Sequence, residues 1–189
     1  MECSAPGGTD ATDAGIAAFL NGANASDVCD ASLTINNDAP GFFNLGTTSV
    51  IFDTADDSSN SSMCSADVSV VDTTPPTISN VEATPNVLWP PNHKMNAVLI
   101  DVTVTDICDP VAMCQIISVS SNEPINGAGD GNTNTDWEIT GALSLNLRAE
   151  RAGGGSGRIY TVGVQCGDGS GNTSDASVEV TVPHSKGKG

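Results

Sequence analysis

Between residues 130 and 136 an oxygen-bearing side chain stands at every second position: Asp130, Asn132, Asn134 and Asp136. Calcium takes roughly six to eight oxygen ligands, and carboxylates and carboxamides at alternate positions of one loop let the backbone wrap a single ion. In a helix-loop-helix calcium site the sixth loop position is glycine and the twelfth a bidentate glutamate. Here those positions hold Thr135 and Gly141, and Glu138 is the glutamate that can substitute. The expected ion is calcium, held by Asp130, Asn132, Asn134, Asp136 and Glu138. The competing reading is a long loop that uses the same residue types for turns.

Other chemistry is sparse. His93 and His184 are the only imidazoles, and the chain has no Gly-x-Ser-x-Gly elbow, phosphate loop or His-Glu-x-x-His helix. Pairs such as Glu123 with Glu138 or Glu150 have the residue types of a glycosidase, but aromatics are only 4% of the chain, too few for a sugar-processing cleft. No enzymatic activity and no catalytic residue are expected. Arg148, Arg151 and Arg158 carry half of the six basic charges. They are expected to pair across a hairpin with Glu150 and Glu123, the alternative being a patch for an acidic ligand. Trp89 and Trp137 read as packing residues in preference to carbohydrate platforms.

The elements that must carry these residues are strands. Apolar residues are 38% of the 189, supplied mainly by Val, Ile, Leu and Ala alternating with Thr, Ser and Asp. Asp plus Glu outnumber Lys plus Arg by 23 to 6, giving a formal net charge of -17 and a pI near 4.1. Such a surface repels phosphate backbones and anionic headgroups, so no nucleic acid and no membrane partner is expected, and divalent cations are the natural counter-ions. There is no run of 18 apolar residues. Met1 leads directly into Glu2 and Cys3 without a basic or apolar leader, which reads as a piece of a longer protein. Six cysteines without CxxC pairs favour disulfides in an oxidising, extracellular setting over zinc.

The step Asp72-Thr73-Thr74-Pro75-Pro76 divides the chain, because paired prolines remove donors and stiffen a linker. It sets a first domain at 1–74 and a second at 75–189. Each side carries the same plan. Ser26-Asp27-Val28-Cys29-Asp30 matches Thr105-Asp106-Ile107-Cys108-Asp109, and Asp56-Asp57-Ser58-Ser59-Asn60 matches Asp168-Gly169-Ser170-Gly171-Asn172. Alternating segments at 97–105, 138–149 and 158–165 predict half-buried strands, with a flexible hairpin turn at residues 153–157. Asp13 is placed to cap a short helix with Ile16, Phe19 and Leu20 on one face and Asn21-Gly22 at its end. The fold class is all-β: two tandem immunoglobulin-like sandwiches with one short helix near the N-terminus. In that arrangement Asp106, Asp109 and Asp168 approach linker residue Asp72, a second candidate calcium site whose alternative is four separate, solvated carboxylates. Cys114 opens a strand antiparallel to one ending at Cys166, so these two can meet, with Cys108 competing for the same partner.

The Ser-Asp-x-Cys-Asp step, the run Phe43-Asn44-Leu45-Gly46-Thr47-Thr48-Ser49-Val50 and the Asp-Ser-Ser-Asn turn before Cys64 make residues 1–74 resemble the hyalin repeat, an immunoglobulin-like extracellular module. Residues 76–184 resemble an immunoglobulin-like module of bacterial surface and secreted proteins, in Leu88-Trp89-Pro90-Pro91-Asn92-His93-Lys94-Met95, Ser121-Asn122-Glu123-Pro124 and Leu147-Arg148-Ala149-Glu150-Arg151. The resemblance implies a Cys3–Cys29 disulfide, a missing first strand in domain 1, and a Cys64 whose partner belongs to that strand, leaving a thiol able to link chains. It implies a non-catalytic extracellular structural or adhesion module whose partners are the neighbouring domains of the same protein, a surface glycan or protein ligand, and further copies of itself. The alternatives are a filament subunit assembled by strand addition and a carbohydrate-binding module of a secreted hydrolase.

Overall fold

A computed structural model of the chain describes residues 1–125 and 135–185. It divides into two units, Met1–Thr74 with Ile107–Pro110, and Pro75–Asp106 with Val111–Gly189. The described residues are predominantly β, with antiparallel sheets and one short helix.

In the first unit β1 (Gly8–Asp10) is followed by helix α1 (Ala14–Asn21) and then by β2 (Thr34–Asn37), β3 (Phe42–Asn44), β4 (Gly46–Ala55) and β5 (Ser61–Val70). Asp13 caps α1 by accepting a bond from Gly15 N at 2.9 Å, and Gly22 closes it by donating to Phe19 O. The helix buries Ile16 at 1% exposure and sets Phe19 edge-on to Phe52, with ring centroids 5.8 Å apart. Strands β1 and β3 pair with each other, and β2, β4 and β5 form a second sheet in that order. Period-two alternation sends Val50, Phe52, Val68 and Val70 into the core with Phe43 and Ile16. Residues 1–3 run parallel to the end of β5: Met1 N donates to Ser69 O, Val71 N to Met1 O and Cys3 N to Val71 O.

In the second unit β6 (Thr77–Thr84), β7 (Met95–Thr105), β10 (Ser144–Arg148) and β9 (Trp137–Gly141) form one sheet in the order β6-β7-β10-β9. Strands β12 (Thr173–Pro183), β11 (Gly157–Gly167) and β8 (Met113–Ser121) form the other, in the order β12-β11-β8. The sheets share one core: Val98, Ile100, Leu145 and Leu147 from the first, Tyr160, Val162, Val164, Val180 and Val182 from the second. Here the segment that follows β6 lies parallel to the last strand, with Leu88 N donating to Thr181 O at 2.8 Å and Thr181 N to Asn86 O at 2.9 Å.

Two expectations are corrected at this level. The stretch 138–149 is two strands, because the chain reverses between Gly141 and Ser144 and the segments pair, Leu147 opposite Trp137. Residues 153–157 do not make a hairpin: β10 pairs with β7 and β9 while β11 pairs with β8 and β12, so the glycines carry the chain from one sheet to the other. The backbone requires glycine at Gly157, where φ is +118° and an added Cβ would lie 2.9 Å from Val182 O.

Candidate functional site

The strongest concentration of chemistry among the described residues is a buried charged network in the second unit. Arg158 enters at the start of β11, its side chain fully covered, and its Nη1 donates to Asp136 Oδ2 at 2.6 Å and to Tyr160 Oη at 3.1 Å. Its Nη2 reaches Pro124 O at 3.2 Å and its Nε lies 3.5 Å from Glu123 Oε2. Tyr160 Oη donates to Arg148 O at 2.9 Å, tying β11 to the end of β10. Burial pushes the Tyr160 hydroxyl up to about 12, so it remains a donor at neutral pH. Burial alone would lower the Arg158 pKa, but the bonds to Tyr160 and Asp136 outweigh it and raise it, so the guanidinium stays charged. Trp137 stands edge-on to Tyr160 at 6.3 Å.

Arg148 extends the network, with Nη1 donating to His93 O and both Nε and Nη2 to Thr135 O. Arg158 and Arg148 thereby hold Pro124 and Thr135 by their carbonyls, the two feet of the connection from β8 to β9. Beside them His93, at φ +63°, places Nδ1 2.9 Å from Oε2 of fully buried Glu150, while half of its side chain faces solvent. A carboxylate that orients an imidazole is one part of a nucleophile-activating pair, but no hydroxyl or thiol is bonded to the His93 ring among the described residues. The geometry welds loops together.

Of the residues expected to hold calcium, Asp130, Asn132 and Asn134 lie outside the described residues. Asp136 is buried at 1% exposure with a carboxylate oxygen on Arg158, and Glu138 is exposed on β9. In the second set, Asp72 and Asp109 belong to the first unit, Asp106 and Asp168 to the second. Asp168 accepts from Ser170 N, Asn172 N and Asn172 Nδ2 at 2.8–2.9 Å, which makes it the organiser of the β11–β12 turn. Asp72 is 9% exposed and accepts from Thr74 N at 3.3 Å.

Within the first unit, Glu2, Cys3, Asp72 and Cys108 bring potential ligand atoms within 4.8 Å of one another. The two sulfurs are joined in a disulfide, and Glu2 accepts bonds from Thr73 N, Thr73 Oγ1 and Thr74 Oγ1. Those bonds, the one from Thr73 N foremost, hold its carboxyl below the ordinary range. A disulfide and a carboxylate engaged by hydroxyls make a poor cation cage.

The expected Cys3–Cys29 bond is corrected: Cys3 is joined to Cys108, and Cys29 and Cys64 are exposed free thiols. Pairing with β5 fixes Cys3 in place, and Gly7 N donates to Cys108 O, whereas Cys29 stands on an exposed connection beside wholly exposed Val28. Cys29 and Cys108 occupy matching Asp-x-Cys-Asp steps, so sequence could not separate them. Cys114 and Cys166 lie directly opposite on β8 and β11 and form the second disulfide, with Cα atoms 4.0 Å apart.

No family model and no curated protein matches this chain.

The arginine cluster was visible in the sequence, with Glu150 and Glu123 expected as partners of the three arginines together; Glu123 lies beside Arg158. Missed were Asp136 as its main counter-charge and His93 as the partner of Glu150. Asp136 had a signal of its own, a lone acidic residue directly before the strand residue Trp137, but its loop context favoured a metal ligand. All three arginines serve backbone carbonyls of their own unit, Arg151 through Ala152 O and His184 O.

Proposed function

We infer that this chain is a non-catalytic, load-bearing segment of an extracellular structural or adhesion protein, built from two immunoglobulin-like modules. The observation that carries the reading is the parallel pairing of an N-terminal segment with the last strand in each unit: residues 1–3 on the end of β5, and Asn86 and Leu88, after β6, on Thr181 of β12. A pull on the two ends of such a unit must shear several hydrogen bonds together instead of opening them one after another. The strand order β6-β7-β10-β9 over β12-β11-β8 supports a constant-type immunoglobulin sandwich, and the Tyr160 bond to Arg148 O, between the start of β11 and the end of β10, resembles the tyrosine corner of such domains. The sheet β2-β4-β5 repeats the order β8-β11-β12. Two disulfides suit an oxidising extracellular setting.

Pulling the reduced chain from its ends in a force microscope tests this, because in the oxidised chain the Cys3–Cys108 bond carries the load past residues 4–107. Two high-force events are expected, Thr181→Pro lowering one and Val71→Pro the other, since each removes a donor from a parallel clamp. Oxidation should abolish the first unit's event and shorten the total extension by about 550 Å, from the 105- and 52-residue separations closed by the two disulfides at roughly 3.5 Å per residue. Low-force unfolding indifferent to both prolines would overturn the load-bearing reading.

A further inference from the structure

Strand β5 carries an unguarded outer edge. The ladder to β4 runs without interruption from Gly46 opposite Val70 to Ala55 opposite Ser61. Asp56 N donates to Asn60 O on the β4 side, while Ser69 and Val71 use their backbone groups on the other side, toward residues 1–3. Parity along an unbroken strand then directs the N–H and C=O groups of Ser61, Met63, Ser65 and Asp67 outward, and residues 61–65 are all exposed. Natural edges are blunted by charge, proline or a bulge. In a chain of net charge -17, residues 58–66 hold no charged residue and no proline, and Met63 is 73% exposed. At the middle of this run stands the free, exposed thiol of Cys64.

We propose that this edge is a homodimerisation site: β5 pairs antiparallel with β5 of a second copy about a two-fold axis at Cys64, and the two Cys64 thiols become a disulfide. The geometry selects this register. Met63 faces the copy's Ser65 and Ser61 its Asp67 through the outward groups, which leaves Cys64 opposite Cys64 as a non-hydrogen-bonded pair. Such pairs hold Cα atoms about 4.5 Å apart, inside the span of roughly 4.4–6.8 Å that a disulfide bridges. The chain already joins Cys114 to Cys166, directly opposite on antiparallel strands. A second copy is the favoured occupant because only a two-fold axis brings a thiol to this thiol at that register. Repulsion between two copies of charge -17 keeps the uncrosslinked pair weak, so the covalent step fixes it. In a glutathione-type redox pool the balance is two Cys64 thiols plus one low-molecular-weight disulfide giving one Cys64–Cys64 bond and two small thiols.

The whole chain incubated with reduced and oxidised glutathione, followed by non-reducing electrophoresis and mapping of unreduced peptides, tests the proposal. The parent and Cys29→Ser are expected to give a dimer whose crosslinked peptide joins Cys64 to Cys64, and Cys64→Ser to stay monomeric. Met63→Pro, which removes an outward donor and leaves the β4 ladder intact, should slow dimerisation about tenfold. Ser65→Asp changes no backbone group and should slow it in a manner relieved by salt. A Cys29–Cys64 bond within one chain, glutathione-capped Cys64 without dimer, or dimerisation indifferent to both edge variants would overturn it.

Discussion

Arg158 and Asp136 are both almost wholly covered, and their 2.6 Å contact is the centre of the network in the second unit. A buried ion pair is weak evidence for stability, because desolvation of both charges offsets most of their attraction. Removing one partner is another matter, since the remaining charge stays buried without compensation. Arg158→Met is expected to destabilise the second unit by about 3–5 kcal/mol, and Arg158→Met with Asp136→Leu to recover most of that loss. Denaturant midpoints of the two single variants and the double variant measure the coupling. Additive losses would show that the pair is not the energetic centre of the network and that Pro124 and Thr135 are held by other means.

At the scale of elements, the most legible feature was the repeated Asp-x-Ser-x-Asn turn. Asp56 accepts from Ser58 N, Asn60 N and Asn60 Nδ2, and Asp168 accepts from Ser170 N, Asn172 N and Asn172 Nδ2. The fourth residue of each turn has positive φ, 68° at Ser59 and 95° at Gly171. Bonds from Asn60 hold the Asp56 carboxyl low; at Asp168 partial burial pushes upward, but the bonds from Asn172, Gly171 and Ser170 prevail. Both folded pKa values lie below the ordinary aspartate value, so the stabilisation is present above that value and is lost as pH falls through the folded values. Thermal midpoints followed from neutral pH down to about pH 2 should therefore drop on the acid side, and less steeply in Asp56→Asn with Asp168→Asn. An unchanged acid slope in that double variant would place the titrating groups elsewhere. Helix α1 was equally readable, because cap, apolar face and stop lie within ten residues of one another. The strand break inside 138–149 and the sheet change at 153–157 were not, since pairing partners depend on segments far away in the chain.

For the molecule as a whole, composition foretold an acidic, disulfide-bearing, mostly β chain, and it directed the acidic residues toward calcium. Charge counts do not reveal which carboxylates are already engaged. Asp136 serves Arg158, Asp168 serves its turn, and Glu2 serves Thr73 and Thr74. What remains is the self-repulsion of 23 carboxylates against 6 basic side chains, which any divalent cation relieves. Calcium and magnesium at equal concentration and matched ionic strength are therefore expected to raise the thermal midpoint relative to EDTA by the same amount. Screening of diffuse charge depends on valence and concentration, whereas a loop site selects calcium by ligand number and cavity size. A rise specific to calcium and abolished by Asp130→Asn would identify the loop as an ion site. A calcium-specific rise that survives that substitution but falls with Asp72→Asn would place the ion instead among the carboxylates that include Asp72.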